Sequence, residues 1–223
     1  DVDLEVMEAM EQMAQRLEIV SAERIRAELE RLLLSPYPRR GLELLVHTGI
    51  CDIVLPEVSA LQDTVDEHRR HKDVYEHTLT VLQQAMDLET GPDGAVPGPD
   101  LRLRLAALMH DIGKPATRRF MPDGTVTFHA HDYVGARMTA KRMRALHFDK
   151  QTIKDVSRLV ELHLRFHGYA DSPWSDSAVR RYVTDAGPLL ARLGCLTRAD
   201  VTTGNRRKAA MLSHAYDDLE RRI

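Results

Sequence analysis

The sequence predicts an all-α, multi-helix bundle with one short β-hairpin. Aromatic residues make up only 5% of the chain, whereas the helix-favouring residues Leu, Ala, Met, Glu and Arg are common. Apolar residues recur at helical spacing, and alternating residues surround a single Pro-Asp-Gly turn in "RRFMPDGTVTFHA". With 223 residues, of which 43% are hydrophobic, the chain can form one good core, alone or with a small helical appendage.

The first part of the chain predicts several short helices. Residues 2–17 have apolar side chains at helical spacing, and Ser21 is a typical N-cap for the amphipathic segment that follows. Pro36 ends that segment, because proline cannot continue a helix. The stretch "RRGLELLVHTGICDIVLPEV" then predicts a short helix, a turn at Gly49 and a second short helical or irregular segment.

The rest of the chain predicts longer helices around the hairpin. "DVYEHTLTVLQQAMDLE" is an amphipathic helix, and the Gly- and Pro-rich "TGPDGAVPGPD" is a loop. An apolar helix runs from Leu101 to His110 and is followed by the hairpin. Further helices are predicted at about residues 132–147, 150–163, 176–185, 188–200 and 204–222.

Composition changes along the chain indicate two regions. The polar stretch at 61–72 predicts a boundary, so we expect one helical region at residues 1–65 and a second domain at 66–223. Residues 1–70 hold 8 Lys/Arg against 15 Asp/Glu, whereas residues 101–144 hold 9 against 3. Residues 101–144 are therefore basic enough to face phosphates, although solvated helix faces would have the same composition.

Several protein classes are excluded by composition. The chain has no 18-residue apolar run, which predicts that it does not cross a membrane. Its acidic start, "DVDLEVMEAMEQ", lacks the basic-then-apolar order of a signal peptide. Cys51 and Cys195 are far apart and form no CxxC motif, which favours free thiols. These features together predict a cytoplasmic protein.

Histidine and aspartate residues at predicted helix ends form a candidate metal site. His110 and Asp111 are adjacent, and on a helix two neighbours point about 100° apart. Both can reach one ion only where the helix ends or lines a cleft, and Gly113 and Pro115 supply such an end. Imidazole and carboxylate together suit Mn, Fe, Ni, Co, Zn or Mg. The ligand-type residues on or at the ends of predicted helices are His77, His110, Asp111, His131, His163 and Asp200.

Three of these pieces carry a family resemblance. "HTL" at 77–79, "LMHDIGK" at 108–114 and "RAD" at 198–200 resemble, in order, the H…HD…D signature of HD-domain phosphohydrolases. The resemblance implies one or two divalent ions. It places the first on His77, His110, Asp111 and Asp200, and additional ligands at His131 and His163, with Asp111 bridging. His129 competes with His131 for that role. Asp111 and Lys114 are the implied catalytic residues, with Lys114 meeting a substrate phosphate.

A second resemblance extends over nearly the whole chain. "VSAERIRAELERLLLSPYPRRGLELLVHTGICDIVLPEV", "HKDVYEHTLTVL" and "FHAHDYVGARMTAKRMRALHF" are similar to the neck and HD region of bacterial CCA-adding tRNA nucleotidyltransferases and related poly(A) polymerases. Glu23, Arg24 and Glu28 fall on the family's neck motif. The family's polymerase head, with its Gly-Ser turn and paired carboxylates, is missing from these 223 residues. We therefore expect a fragment of a longer enzyme that adds no nucleotides by itself.

The resemblance implies tRNA or RNA 3′ ends and nucleotides as partners. Two basic clusters are candidates for RNA backbone contact, since phosphates need point positive charges. A homodimer is also possible, because the first helix exposes apolar residues if the head is absent. Two functions remain open: a metal-dependent phosphohydrolase linked to tRNA 3′-end processing, and a non-catalytic tRNA-binding body with a relict metal site. The candidate RNA contacts are Arg137, Lys141, Arg144, Arg206 and Arg207.

Overall fold

A computed structural model describes residues 2–64, 74–172, 174–201 and 206–223. The described part is built of helices and one two-stranded antiparallel hairpin, so the predicted fold class is confirmed. The expected boundary between residues 65 and 66 lies outside the described residues. The N-terminal elements are α1 (Leu4–Met13), a 3-10 helix (Ala14–Ile19), α2 (Ala22–Leu33), α3 (Pro38–His47), α4 (Ile50–Val54) and α5 (Pro56–Ser59).

The second part of the chain holds the longer helices. The long helices end within a few residues of their predicted bounds, whereas α5, α8 and α11 are too short for periodicity to reveal. The elements are α6 (Val74–Asp87), α7 (Leu101–Met109), α8 (Lys114–Thr117), β1 (Arg119–Phe120), β2 (Val126–Thr127), α9 (His131–Ala145), α10 (Lys150–Leu162), α11 (His167–Asp171), α12 (Asp176–Ala186), a 3-10 turn (Gly187–Leu189), α13 (Leu190–Asp200) and α14 (Arg206–Arg222).

Helix α7 is the centre of the fold. Its residues from Leu103 to Met109 are all buried, and it packs against α6, α10 and α13. A helix that is apolar on nearly all sides is stable only inside a core. Because α7 ends at Met109, it places the next two residues, His110 and Asp111, in the interior.

Hydrogen bonds and an ion pair from two arginines connect the N-terminal helices to this core. Arg104, on α7, is buried, pairs with Glu89 at 2.7 Å, and donates to the carbonyls of Leu33 and Ser35 at the end of α2. These are carbonyls that a helix end leaves without intrahelical donors. Arg142 of α9 also makes a bidentate ion pair with Glu57 of α5. None of the described helices has both the length and the apolar composition needed to cross a membrane.

Candidate metal centre

Six side chains from five helices meet in the interior. They form two groups whose ligand atoms lie within 4.8 Å of one another inside each group. The first group is His77, His110 and Asp200. The second group is Asp111, His131 and His163. All six residues are those expected from the sequence, and they lie on α6, just after α7, at the start of α9, just after α10 and at the end of α13.

Asp111 faces both groups with its two carboxylate oxygens. Its Oδ2 lies 3.2 Å from Nε2 of His110 and 3.6 Å from Nε2 of His77. Its Oδ1 lies 3.3 Å from Nε2 of His131. In the first group, Asp200 Oδ1 is 3.0 Å from Nε2 of His77 and 3.5 Å from Nε2 of His110. The Asp111 carboxylate therefore lies within 3.6 Å of histidine Nε2 atoms from both groups.

Three of the imidazoles are oriented by the main chain. In each, the Nδ1–H donates to the carbonyl three residues earlier, so Nε2 is left to face the cluster. A carbonyl can only accept, so this bond assigns the proton to Nδ1. The pairs are His110 with Ala107 at 2.8 Å, His131 with Phe128 at 2.9 Å, and His163 with Val160 at 2.6 Å.

A close approach of two backbones brings His131 beside Asp111. A Cβ at Gly113 would lie 2.1 Å from the carbonyl oxygen of His131 and 2.7 Å from the nitrogen of Gly135. Only glycine at 113 therefore allows α9 to begin where it does. Ala130, just before α9, has a left-handed φ of 62°, which turns the chain into that helix.

The two carboxylates and two of the histidines have strongly shifted pKa values. Burial alone would lower the pKa of His110, but the carboxylates of Asp111 and Asp200 raise it to about 10. Burial and then the charge of His110 lower the pKa of His163 to about 4. Although burial opposes it, the charges and hydrogen bonds of His110 and its neighbours hold the pKa values of Asp111 and Asp200 well below their usual range.

The donor set fits a divalent cation. The Nε2 atoms of His131 and His163 are buried and have no hydrogen-bond partner among the described residues. A buried lone pair without a partner costs free energy, and a bound ion would satisfy it. Imidazole nitrogens and carboxylate oxygens without thiolates suit Mn, Fe, Co, Ni or Zn, and Mg less well.

Residues around the cluster differ in how close they come. Lys114 Nζ lies 2.9 Å from Asp111 Oδ2, and Lys114 is the position for which the family resemblance implies contact with a substrate phosphate. His129 is exposed, so His131 rather than His129 joins the cluster. His167 begins α11, its side chain is half exposed, and its Nε2 lies 3.8 Å from Asp200 Oδ2.

The candidate RNA-contacting and neck residues lie elsewhere. Arg137, Lys141 and Arg144 are exposed on one face of α9, and Arg207 is exposed on α14. The side chain of Arg206 lies outside the described part of the chain. The neck-motif residues are all exposed on α2. Glu23 contacts His147 Nδ1 at 2.6 Å, Glu28 pairs with Arg31 at 3.0 Å, and Arg24 lies between them in sequence.

Lys150 and Lys154 were not among the predicted RNA contacts. Both are exposed on α10, in the segment "KQTIK", and their i, i+4 spacing places them on one helix face. That spacing was a usable signal, but which helix they would face depends on tertiary packing.

Comparison with known proteins agrees with this helical fold and its histidine and aspartate cluster. A profile of the HD domain matches residues 74–205, and the chain therefore belongs to the HD-domain family. A second profile, described as the probable RNA and SrmB-binding site of polymerase A, matches residues 1–61.

Curated relatives are similar over most of this chain. An A-adding tRNA nucleotidyltransferase of Deinococcus radiodurans is 36% identical over 84% of the chain and 41% of its own length. A CC-adding tRNA nucleotidyltransferase of Thermus thermophilus is 35% identical over 88% and 43%. A multifunctional CCA protein of Neisseria gonorrhoeae is 31% identical over 73% and 38%. The chain thus spans about two fifths of the length of these relatives.

Proposed function

We propose that this chain is a metal-dependent phosphohydrolase acting on phosphate esters of nucleotides or RNA ends, in the setting of tRNA 3′-end processing. One observation carries the proposal: the two oxygens of the buried Asp111 carboxylate lie within 3.6 Å of imidazole Nε2 atoms from both ligand groups. The tRNA setting rests on the similarity to A-adding and CC-adding tRNA nucleotidyltransferases.

The residues have complementary roles in this proposal. His77, His110 and Asp200 would hold one divalent ion and His131 and His163 a second, with Asp111 contacting both. Such ions lower the pKa of a bound water and polarise phosphoryl oxygens when present. Lys114, whose ammonium lies beside Asp111, would neutralise a phosphoryl oxygen of the substrate.

A test begins with the metal content of the purified chain. Hydrolysis of a chromogenic phosphodiester and of a 2′,3′-cyclic nucleotide is then measured with Mn, Ni and Mg. The double variant His110→Ala/Asp111→Ala removes ligands from both groups, so we expect it to lose bound metal and at least about 100-fold in rate. Asp93→Ala, in the exposed loop before α7, serves as the control and should keep both. Hydrolysis at the wild-type rate in the double variant would contradict the proposal.

A second candidate is a non-catalytic RNA-binding body that retains a relict metal site. The match of residues 1–61 to a probable RNA-binding profile favours it, as do the exposed cations of α9. It predicts tight tRNA binding with no metal-dependent hydrolysis. Under either candidate function we expect the purified chain not to incorporate CTP into tRNA, because the 223 residues hold no paired carboxylates after a Gly-Ser turn. CTP incorporation by the purified chain would contradict that expectation.

A further inference from the structure

A large basic groove runs between α9, α10 and the end of α12. Its volume is about 1330 Å³, more than the few hundred to one thousand Å³ typical of small-ligand sites. None of the six candidate metal ligands lines it. Its charged lining residues are Arg102, Arg137, Lys141, Arg144, Lys150, Lys154, Arg158 and Arg192 on the basic side, and Asp155, Glu161 and Asp185 on the acidic side.

The acidic residues of the groove are all neutralised by arginine. Asp155 lies 3.2 Å from Arg102, and Arg158 lies 2.8 Å from Glu161 and 3.7 Å from Asp185. The eighth basic residue, Arg192, pairs with Asp100 outside the groove at 2.7 Å. The charges of these three arginines are therefore compensated by carboxylates of the protein itself.

The five remaining cations have no such partner. Within the described ranges, no carboxylate lies within ion-pair distance of any of them. The contrast with Arg142 is informative, because this residue of the same helix α9 makes an ion pair with Glu57 at 2.8 Å. Five like charges gathered on one groove in a chain of net charge −3 favour an external polyanion. They are Arg137, Lys141, Arg144, Lys150 and Lys154.

The shape of the cationic surface selects a long anion over a single phosphate. Arg137, Lys141 and Arg144 form a row along α9 that is roughly 10 Å long at 1.5 Å per residue. Lys150 and Lys154 form a second row on α10, the other wall of the groove. The row on α9 alone is longer than one phosphate group, whereas a phosphodiester backbone presents charges along its whole length.

The two helices that form the walls of the groove also carry or adjoin candidate metal ligands. His131 is the first residue of α9, and α10 ends immediately before His163. Tyr133 lines the groove at this end, is about half exposed at 55%, and has the guanidinium of Arg137 6.0 Å from its ring centroid. An exposed aromatic ring beside cations is a typical stacking platform for an unpaired base.

We infer that this groove is an RNA-binding exosite, which holds the backbone of a single RNA strand whose end extends to the metal centre. The inference rests on the proposed phosphohydrolase function and narrows its substrate to RNA ends rather than free nucleotides. The groove supplies affinity through charge, and the metal centre supplies the chemistry.

Binding is tested on chelator-treated protein with a fluorescent 12-nucleotide RNA. We expect Lys150→Gln/Lys154→Gln to lower affinity roughly tenfold or more near 0.1 M salt. The slope of log affinity against log salt should decrease by about 1.4, because each single-strand phosphate contact contributes about 0.7. Arg180→Gln/Arg181→Gln removes the same charge from exposed positions of α12 outside the groove, and should change neither quantity.

Two results would overturn the RNA site. In one, the groove variant binds RNA as tightly as the wild type or no more weakly than the α12 control. In the other, polyglutamate of matched length binds as tightly as RNA, which would show a general polyanion surface. All four substituted side chains are exposed, so equal unfolding midpoints are expected and exclude loss of folding as the cause.

Hydrolysis tests the connection with the metal centre. For an RNA ending in a 2′,3′-cyclic phosphate, Lys150→Gln/Lys154→Gln should raise KM about tenfold and leave kcat unchanged. Hydrolysis of a cyclic mononucleotide should stay as in the wild type. An equal rise in KM for the mononucleotide would refute the exosite. If the wild type hydrolyses neither substrate, the phosphohydrolase proposal fails, whereas the binding measurement still decides whether RNA occupies the groove.

Discussion

The histidines of the cluster differ in charge although they share one environment. His110 lies beside two carboxylates, which raise its pKa to about 10 against the effect of burial. His163 has no carboxylate at such short range, and burial together with the charge of His110 lowers its pKa to about 4. In the metal-free protein at pH 7, therefore, His110 carries a proton and His163 is neutral.

Metal binding should consequently release a proton. An ion at the first group must displace the proton from Nε2 of His110, so we expect affinity to rise with pH between 7 and 9, by up to tenfold per unit. Calorimetric titration in two buffers of different ionisation enthalpy measures the number of protons released. An affinity that does not change over this range would contradict the assignment of the proton to His110.

The same shift predicts a pH-dependent stability of the metal-free protein. The folded pKa of His110 lies above its ordinary value of 6.5, so its contribution is fully present below about pH 6.5 and is lost as the pH rises towards 10. We expect the free energy of unfolding to fall from pH 7 to pH 10 in denaturant titrations. The fall should be smaller in His110→Gln, and an identical fall in both proteins would exclude His110 as the source.

Ala130 stores local strain next to the cluster. A non-glycine residue with φ of 62° costs roughly 1 kcal/mol, because its Cβ crowds the following carbonyl oxygen. Ala130→Gly should therefore raise the free energy of unfolding by about 0.5–1 kcal/mol. Denaturant titration measures this change. Ala145→Gly, at the end of α9, is the matched control and should destabilise by a similar amount.

At the residue scale, the sequence predicted the types of the ligand residues better than it predicted the backbone conformation around them. The adjacent His110 and Asp111 after an apolar helix are enough to indicate a metal site. The left-handed conformation of Ala130 had no sequence signal, since glycine or asparagine is the residue expected there. Strain of this kind follows from tertiary packing, which the local sequence does not encode.

Among the elements, α7 and the packed pair of helices α9 and α10 determine where the candidate metal centre and the groove form. The apolar composition of α7 predicted its existence and nearly its bounds. The pairing of α9 with α10 was not predicted, and it is this pairing that turns separate cationic rows into a groove. Periodicity shows which face of a helix is polar, but it does not show which neighbouring helix that face will meet.

The contact between α8 and α9 depends on one glycine. A Cβ at Gly113 would lie 2.1 Å from the carbonyl oxygen of His131, so Gly113→Ala forces the start of α9 away from Asp111. We expect a loss of about 1–3 kcal/mol in stability and weaker metal binding. Denaturant titration and metal analysis measure the two effects. Gly91→Ala has no atom within 4 Å of the added Cβ and should preserve metal binding.

Over the whole molecule, Arg104 joins the N-terminal helices to the core. It is buried, and its loss would leave two carbonyls without their guanidinium donor, whereas Glu89 would keep only the backbone N–H of Asp100 among its described donors. Arg104→Ala should lower the free energy of unfolding by about 3–5 kcal/mol, as breaking a buried pair typically does. Arg31→Ala removes an exposed pair with Glu28 and should cost less than about 1 kcal/mol in the same denaturant titration. Equal losses would contradict a linking role for Arg104.

The predicted homodimer stays a prediction at this scale. Helix α1 buries none of its residues, and Leu4 and Val6 are exposed on it. The sequence indicated an amphipathic helix here, and helical spacing alone does not determine what the apolar face packs against.

The histidine-to-carbonyl bonds have a consequence for how this cluster changes over generations. The main-chain oxygens of Ala107, Phe128 and Val160 orient the imidazoles of the three histidines. Every amino acid provides such an oxygen. Substitution at those positions keeps the acceptor, whereas an orienting carboxylate could be lost by a single mutation. The orientation of these three imidazoles therefore does not depend on which side chain occupies positions 107, 128 and 160. A substitution of one candidate ligand therefore leaves the main-chain bonds that orient the remaining imidazoles in place.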